Sequence, residues 1–335
     1  MTTSKETNSP AQRIEYIDLC KGICIILVVV EHVAHFYQVD DNMLRVILRN
    51  FRMPLYFFLS GFFFKSYSGF TFFRKKVNNL LVPFAFFYLV TSVLLPILLM
   101  KAFHYQMQWA IPGTFMDYLP QCLTKEEFPN IAIWFLLCLL EVNILFFAIY
   151  KLCRGKSLIM LFPVSIVGAI GLYLSYAHIN WWGYADSACT VLPFFFMGYV
   201  LKKKPHWLDT LLTLSCVAFY CIFLVALSLN VDYRSNLIPN WWAYITGASG
   251  VMIVMSVGRY FRRIPGVSYL GRYSIIVLCT HALVYQSFHE VLCKVGCMYS
   301  LPVVNFLLTL GSYAVIIPFC RYFMPHVTAQ KPLFK

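Results

Sequence analysis

Ten apolar segments, most of them about as long as a bilayer is thick, dominate this chain of 335 residues. A helix needs about 20 mainly apolar residues to cross the hydrocarbon core of a membrane. The segments are continuously apolar, whereas the strands of a membrane barrel alternate with a period of two, so we expect helices. The expected spans are residues 17 to 38, 44 to 64, 77 to 100, 129 to 150, 157 to 178, 187 to 201, 206 to 229, 240 to 258, 267 to 289 and 299 to 320.

The composition excludes an ordinary soluble fold. Hydrophobic residues make up 60% of the chain and charged residues 12%, against about 25% charged in a typical soluble protein. A soluble protein of this size needs a charged shell that so few charges cannot supply. The net charge of +13 would suggest nucleic acid in a soluble chain, but here the basic residues lie in short clusters between apolar runs. We therefore expect the lipid bilayer, and no nucleic acid, as a partner.

The basic clusters also predict the topology. If the N-terminus is cytoplasmic, every second gap between spans is cytoplasmic, and 20 of the 27 basic residues then lie inside. The clusters in the inner gaps are Lys65, Arg74, Lys75, Lys76; Lys151, Arg154, Lys156; Lys202, Lys203, Lys204; and Arg259, Arg262, Arg263. We predict an all-α, polytopic integral membrane helical bundle of about ten transmembrane helices with both termini cytoplasmic.

One membrane domain, residues 13 to 323, is expected between a cytoplasmic polar tail at 1 to 12 and a cytoplasmic tail at 324 to 335. The first apolar run is not followed by a signal-peptide cleavage site, so we expect the first helix to be retained. The twelve cysteines show no spacing that suits zinc, and we expect no metal. Cys293 and Cys297 flank an expected outer loop and are either free thiols or a disulfide.

Three arginines stay inside the bilayer after the topology is assigned. Arg45, Arg49 and Arg52 follow the i, i+4, i+7 spacing of one helical face. A charge at this depth is costly, so it normally faces a protein interior or a wet cavity and indicates a ligand path. In the alternative, purely structural interpretation, Arg45 reaches the outer surface and the other two pair with a buried acid, Glu31 or Glu141.

Ionisable residues from three helices are expected to meet at one depth. Lys21 and His32 are eleven residues apart, which puts them on one helical face about 16 Å apart along the axis. Lys21 lies near the inner end, and His32 lies roughly 20 Å deep. Counted from the inner ends of their own helices, Arg52 and His281 also lie roughly 20 Å deep.

This arrangement suits a cytosolic donor that has an anionic head and a long thin arm, as acyl-coenzyme A has. Basic groups at the inner mouth would hold the phosphates while the arm reaches His32. An imidazole can take the proton from an attacking hydroxyl at neutral pH, and a nearby arginine can stabilise the oxyanion. In the alternative interpretation, the same buried charges line the path of a transporter or polysaccharide exporter.

Several motifs carry a resemblance to a known family. The specific motifs are Lys21 with His32 (Lys/Arg-x10-His), Arg49-Asn50-Phe51-Arg52 (Arg-x2-Arg) and Met53 to Phe62. Weaker similarities lie at Trp134 to Leu136, Phe195 to Tyr199 and Leu270 to Ser274 followed by His281. In these motifs the chain resembles the acyltransferase-3 family of integral membrane acyltransferases. The likeness extends from residue 13 to about residue 282, and the first 65 residues carry its most specific part.

The resemblance implies an O-acyltransferase, with acetylation as the expected reaction. The acyl group of a cytosolic acyl-CoA would pass to a hydroxyl of a sugar or surface polysaccharide, in the inner membrane of a bacterium. His32, Arg49 and Arg52 would be the catalytic residues, while Lys21, Arg52, His281 and Ser60 would bind the donor. Many relatives carry a fused SGNH domain, and we expect this chain to be a stand-alone member without one.

Overall fold

The computed structural model describes residues 15–39, 42–95, 124–125, 130–204, 210, 214, 229–295 and 301–334. Within these ranges the chain is helical, without strands. We label the helices α1 (Glu15–Phe36), α2 (Asn42–Phe62), α3 (Gly69–Lys76), α4 (Val82–Leu89), α5 (Trp134–Leu152), α6 (Ser157–Tyr176), α7 (Ala185–Lys203), α8 (Trp242–Phe261), α9 (Pro265–Arg272), α10 (Ser274–Val295) and α11 (Leu301–Phe323). A π-helical turn, Val77–Leu81, joins α3 to α4, and a second one, Val90–Leu94, follows α4. The predicted all-α fold is confirmed.

Within the described ranges, four helical segments are long and apolar enough to cross a membrane: Ile131–Leu152, Ser157–Tyr176, Ser274–Cys293 and Pro302–Phe323. In α6 and α11 many large apolar side chains point outward, and Phe162 and Val315 are each 73% exposed. Apolar faces of this kind fit lipid better than water. The predicted segment at 206 to 229 lies almost wholly outside the described residues, so ten spans and the orientation stay predictions.

One predicted span has the wrong beginning. The segment at 267 to 289 is not a single helix, because the short helix α9 ends at Arg272 and α10 starts anew at Ser274. The bend is held where α9 crosses α1, since a Cβ at Gly271 would fall on the carbonyl of Asp18. Only glycine permits so close an approach of two helix backbones. The crossing fixes α9 against the first turns of α1.

Helix α1 lies in the centre of the bundle and contacts α2, α8, α9, α10 and α11. Helix α2 in turn packs against α7 and α8. The crossing of α2 and α7 also depends on glycine, because a Cβ at Gly61 would meet the Phe195 carbonyl and one at Gly198 would meet the Phe58 carbonyl. Two glycines thus bring the backbones of α2 and α7 close together at this crossing. The crossing holds α2, with its arginines, against the rest of the core.

Many basic clusters lie at one end of the bundle, which we call the basic end. Here Arg263 pairs with Glu15 at 3.6 Å, and the ring of Phe64 packs against the rings of Tyr150 and Tyr199. These contacts bring the start of α1 and the ends of α2, α5, α7 and α8 together. At the opposite end, Tyr37 contacts α10 and α11.

Candidate active site

Helices α1 and α10 place two imidazole rings side by side. The ring centroids of His32 and His281 lie 5.0 Å apart, and the ring planes are inclined by 57°. His281 is fully buried, whereas His32 is half-buried. The two histidines that the sequence places at one depth are thus neighbours in the fold.

The hydrogen bonds of His281 determine which of its ring nitrogens carries the hydrogen. Nδ1 lies 3.0 Å from the carbonyl oxygen of Val277 and 2.9 Å from that of Leu278. A carbonyl oxygen only accepts, so Nδ1 donates and Nε2 keeps its lone pair. This buried Nε2 has no hydrogen-bond partner within the described part of the chain. His281 therefore presents an unused acceptor inside the protein, on the residue whose ring adjoins His32.

A buried carboxylate next to His32 binds two of the three arginines of α2, Arg49 and Arg52. Arg49 Nε donates to Oε1 of Glu31 at 2.7 Å, and the guanidinium of Arg52 forms an ion pair with Oε2. Glu31 is 4% exposed. Two guanidinium groups around one carboxylate leave one positive charge in excess beside the histidine pair. Such an excess favours a site that stabilises developing negative charge.

Of the two acids that the sequence offers as partners for these arginines, the structure uses Glu31, and pairing with Glu141 is wrong. The carboxylate of Glu141 instead accepts the backbone N–H of Tyr184 at 3.2 and 3.1 Å. It lies where α5 meets the start of α7, beside Gly183. The side chain of Arg45 lies outside the described residues.

A further contact fixes the backbone of Arg52 within this cluster. The thiol of Cys24 donates to the Arg52 carbonyl at 3.2 Å, which sets the register of α1 against α2. Nε of Arg52 is buried and has no hydrogen-bond partner in the described ranges. A guanidinium N–H that is buried without a partner is a ready donor for a substrate oxygen.

Pro54 lies inside α2 without ending it, and the helix continues to Phe62. Proline removes the N–H that would bind the carbonyl four residues earlier. That carbonyl, of Asn50, accepts the hydroxyl of Tyr233 at 3.4 Å. The freed carbonyl is thus satisfied by the segment before α8.

Asn50 is a site residue to which the sequence motif assigns no role, although its amide side chain is buried and hydrogen-bonded. Its amide nitrogen donates to the Leu229 carbonyl at 3.0 Å, and its amide oxygen accepts from Thr246 at 3.1 Å. The side chain is 2% exposed. Asn50 therefore ties α2 to α8 and to the segment after residue 229.

That segment carries a second missed residue, Arg234. Its side chain donates to the Lys125 carbonyl at 2.9 Å, and its charge acts on His32. Lys125 is in turn paired with the fully buried Asp186. The sequence places Lys125 and Arg234 in outer loops, but nothing in the sequence signals that the two loops meet.

A cavity of about 320 Å³, which we call the Lys21 cavity, lies at the basic end between α1, α2, α5 and α10. Its lining includes Lys21, Tyr56, Ser60, Lys76, Ser274 and Leu278. Lys21 lies over the ring of Phe63, 4.6 Å from its centroid. The hydroxyl of Ser60 donates to the carbonyl of Tyr56 at 2.8 Å. The volume is at the lower end of the range for small-ligand sites, about 300–1,000 Å³.

The Lys21 cavity reaches the residues that adjoin the histidine pair. Tyr56 lies one turn beyond Arg52 on α2. Leu278, also in the lining, provides a carbonyl that binds His281. The structure thus brings Lys21 and Ser60 together in one cavity and places His32, His281, Arg49 and Arg52 in a cluster next to it. Among the side chains described, no three histidine, cysteine or acidic residues group as metal ligands. Cys293 is a free thiol near His289, and Cys297 lies outside the described residues.

Comparison with known proteins assigns the family. The model of the acyltransferase-3 family, described as an acyltransferase domain, matches residues 14–322. No curated protein and no solved structure gives a significant match. The matched range includes the histidine pair, the arginines of α2 and the Lys21 cavity. Because this match covers nearly the whole chain, and because the helices expose apolar side chains, the chain belongs to the acyltransferase-3 family and is a membrane acyltransferase.

Proposed function

We propose that this chain is an O-acetyltransferase that moves the acetyl group of acetyl-CoA to a hydroxyl of a sugar in a surface polysaccharide. The observation that carries the proposal is the histidine pair, set beside a cluster with an excess positive charge and next to a cavity that contains Lys21. The donor would enter from the basic end, which we place on the cytoplasmic side of a bacterial inner membrane. The acceptor would approach from the opposite end.

The donor would occupy the Lys21 cavity with its arm. Lys21 and Lys76 supply positive charge there, and the hydroxyl of Ser60 adds a polar contact. The thioester would lie beyond Tyr56, beside Arg52. We assign the buried N–H of Arg52 to the thioester oxygen, where negative charge develops during transfer. Arg49 and Glu31 would hold Arg52 in place.

His32 is proposed as the general base. It takes the proton of the acceptor hydroxyl, the oxygen forms a bond to the thioester carbonyl carbon, and the carbon–sulfur bond breaks. The coenzyme leaves as a thiolate and takes the proton from the imidazolium of His32, so the charges balance. His281, with the lone pair of its Nε2, would orient the His32 ring by accepting its N–H.

In a covalent variant of this chemistry, the acyl group is first bonded to His32 and then passes to the acceptor. The two routes differ in kinetics, because a covalent intermediate gives ping-pong behaviour and a direct transfer requires both substrates together. Initial rates measured over a grid of donor and acceptor concentrations separate them. Parallel lines in a double-reciprocal plot indicate the acyl-histidine, and intersecting lines indicate direct transfer.

The reaction is tested in membranes of cells that carry or lack the chain, incubated with acetyl-CoA labelled in the acetyl group. We expect label in a base-labile ester on the surface glycan only when the chain is present, with a mass increase of one acetyl unit. Movement of glycan across the membrane without consumption of acetyl-CoA would instead identify a transporter or exporter and overturn the proposal.

A further inference from the structure

The last residues of the chain form a compact turn and not a free tail. Within this C-terminal turn, residues 324–334, the backbone N–H groups of Gln330 and Lys331 both donate to the Pro325 carbonyl at 2.9 Å. Thr328 is fully buried, and its hydroxyl donates to the Met324 carbonyl at 2.8 Å. These bonds fix the direction in which the chain leaves α11.

The side-chain amide of Asn78 binds the end of this turn through backbone N–H and carbonyl groups. Its amide oxygen accepts the N–H groups of Leu333 and Phe334 at 2.9 and 2.8 Å, and its amide nitrogen donates to the Phe334 carbonyl at 2.9 Å. Asn78 is 4% exposed and lies in the π-helical turn Val77–Leu81. The next two residues of that turn line the Lys21 cavity. The C-terminal turn is therefore docked behind the wall of the Lys21 cavity.

Between the C-terminal turn and the bundle lies a second cavity, of about 350 Å³, which we call the Arg272 cavity. Its lining consists of Arg272, Tyr273, Arg321, Pro325, Gln330 and Lys331. Three of these six residues are cationic, and no acidic residue is among the described residues that line it. Like charges collected without a carboxylate repel one another, and this arrangement favours a multiply charged anion.

The two arginines are held ready for such an anion. Both guanidinium groups lie over the ring of Tyr273, with 5.5 Å from Arg272 and 4.9 Å from Arg321 to the ring centroid. A guanidinium that lies over an aromatic ring still carries N–H donors at its edge, and these match the geometry of phosphate. Arg321 uses one of its donors for a side-chain hydrogen bond with Tyr269, and its remaining donors are left for a ligand. Lys331 adds the third charge, and it is the C-terminal turn that places it there.

We propose that the Arg272 cavity is a binding site for a phosphate ester, which the C-terminal turn completes through Lys331. The phosphate belongs either to the nucleotide part of an acyl-CoA donor, in which case this inference rests on the proposed function, or to an anionic lipid headgroup. A connection to the donor path is present in the chain itself, because Tyr273 lines the Arg272 cavity and the next residue, Ser274, lines the Lys21 cavity.

The test uses the full chain in nanodiscs, with Arg272→Gln, Arg321→Gln and Lys331→Gln as variants and Arg263→Gln as the matched control. Arg263 is an exposed arginine at the same end that pairs with Glu15 outside the cavity. In phosphatidylcholine nanodiscs, the dissociation constants of coenzyme A and of adenosine 3′,5′-bisphosphate are measured by calorimetry. Removing any one of the three cationic groups is expected to weaken binding about tenfold, because a charge-assisted hydrogen bond to the phosphate then cannot form. Binding should also weaken as salt is added.

A lipid arm distinguishes the two sources. If the ligand is a lipid headgroup, the protein should retain phosphatidylglycerol in native mass spectra, the three variants should lose it, and their binding of both nucleotide probes should stay unchanged. If all three variants bind both probes and retain the lipid as the wild-type protein does, the proposal is wrong. If the wild-type protein transfers no acetyl group but binds the probes, and the three variants lose that binding, this site is supported and the proposed function is wrong. If the three variants retain acetyl transfer and lipid, with unchanged probe affinities and an unchanged KM for the donor, this site is wrong and the proposed function stands.

Discussion

Removing the carboxylate of Glu31 is expected to destabilise the protein. In Glu31→Gln, the guanidinium groups of Arg49 and Arg52 lose the charge that separates them. Breaking a buried ion pair by removing one partner costs about 3–5 kcal/mol. The side chain of Arg49 is 27% exposed and can turn toward water, whereas that of Arg52 is 12% exposed and cannot do so as easily. We therefore expect a loss near the lower bound, about 3 kcal/mol.

This loss is measured as a shift of the thermal unfolding midpoint in detergent. One kcal/mol corresponds to about 2–4 °C in chains of 150–250 residues, so the expected fall in Tm for this longer chain is roughly 6 °C. Glu141→Gln is the matched control, because it also removes a carboxylate from a helix of the bundle but leaves both arginines paired. We expect its Tm to fall less, since the described hydrogen bonds of Glu141 come from the Tyr184 backbone N–H and not from a buried guanidinium.

A double variant separates the charge effect from the loss of packing. In Glu31→Gln with Arg49→Gln, the remaining excess charge is again one, as in the wild-type protein. The double variant should therefore be more stable than the sum of the two single effects predicts, by about 1 kcal/mol or more. Additive effects, or a Glu31→Gln protein with the Tm of the wild type, would refute the view that this carboxylate holds the two arginines together.

Three further perturbations test other parts of the structure. Gly61→Leu should lower the free energy of unfolding by about 1–3 kcal/mol, because its Cβ would meet the Phe195 carbonyl. Gly69→Ala, with open space around residue 69, should not lower it, and thermal unfolding of both variants checks this. Asn50→Ala leaves the Leu229 carbonyl without its side-chain donor and should cost about 1–3 kcal/mol in the same measurement. Burial lowers the pKa of Lys76, which precedes the expected span at 77 to 100, to about 8. Lys76 then loses its charge above about pH 8, so the KM for acetyl-CoA should rise there, and a flat KM from pH 7 to 9, or the same rise in Lys76→Gln, would contradict the role of that charge.

Much of the fold follows from the sequence because long apolar runs leave few alternatives in a bilayer. The predicted spans at 157 to 178 and 299 to 320 agree with α6 and α11 to within a few residues. The proximity of His32 and His281 agrees with the prediction, although the predicted depth of His281 assumes one unbroken span from residue 267 and α10 begins only at Ser274. The break at Tyr273 could not be predicted, because it depends on the close crossing of α9 and α1, and a local apolar pattern does not contain that crossing.

Side-chain partners are the part that sequence alone does not determine. Glu31 and Glu141 are both acids within apolar helices, and the choice between them depends on which helix lies next to α2. The position of Arg234 near His32 depends on the path of a loop, and loops have no periodicity from which to calculate a position. The docking of the C-terminal turn on Asn78 depends on backbone groups, which every residue carries alike.

The central claim is that the imidazole of His32 takes part in acetyl transfer, and the most direct measurement is the transfer rate of the purified protein in proteoliposomes. Wild-type protein, His32→Ala and His35→Ala are compared at equal amounts of folded protein, with labelled acetyl-CoA and a glycan acceptor. His35 lies one turn further along α1 and is exposed, so its variant serves as the control. We predict that His32→Ala loses at least about a hundredfold in rate while His35→Ala keeps the wild-type rate. A His32→Ala protein that transfers acetyl groups as fast as the wild type would contradict the account.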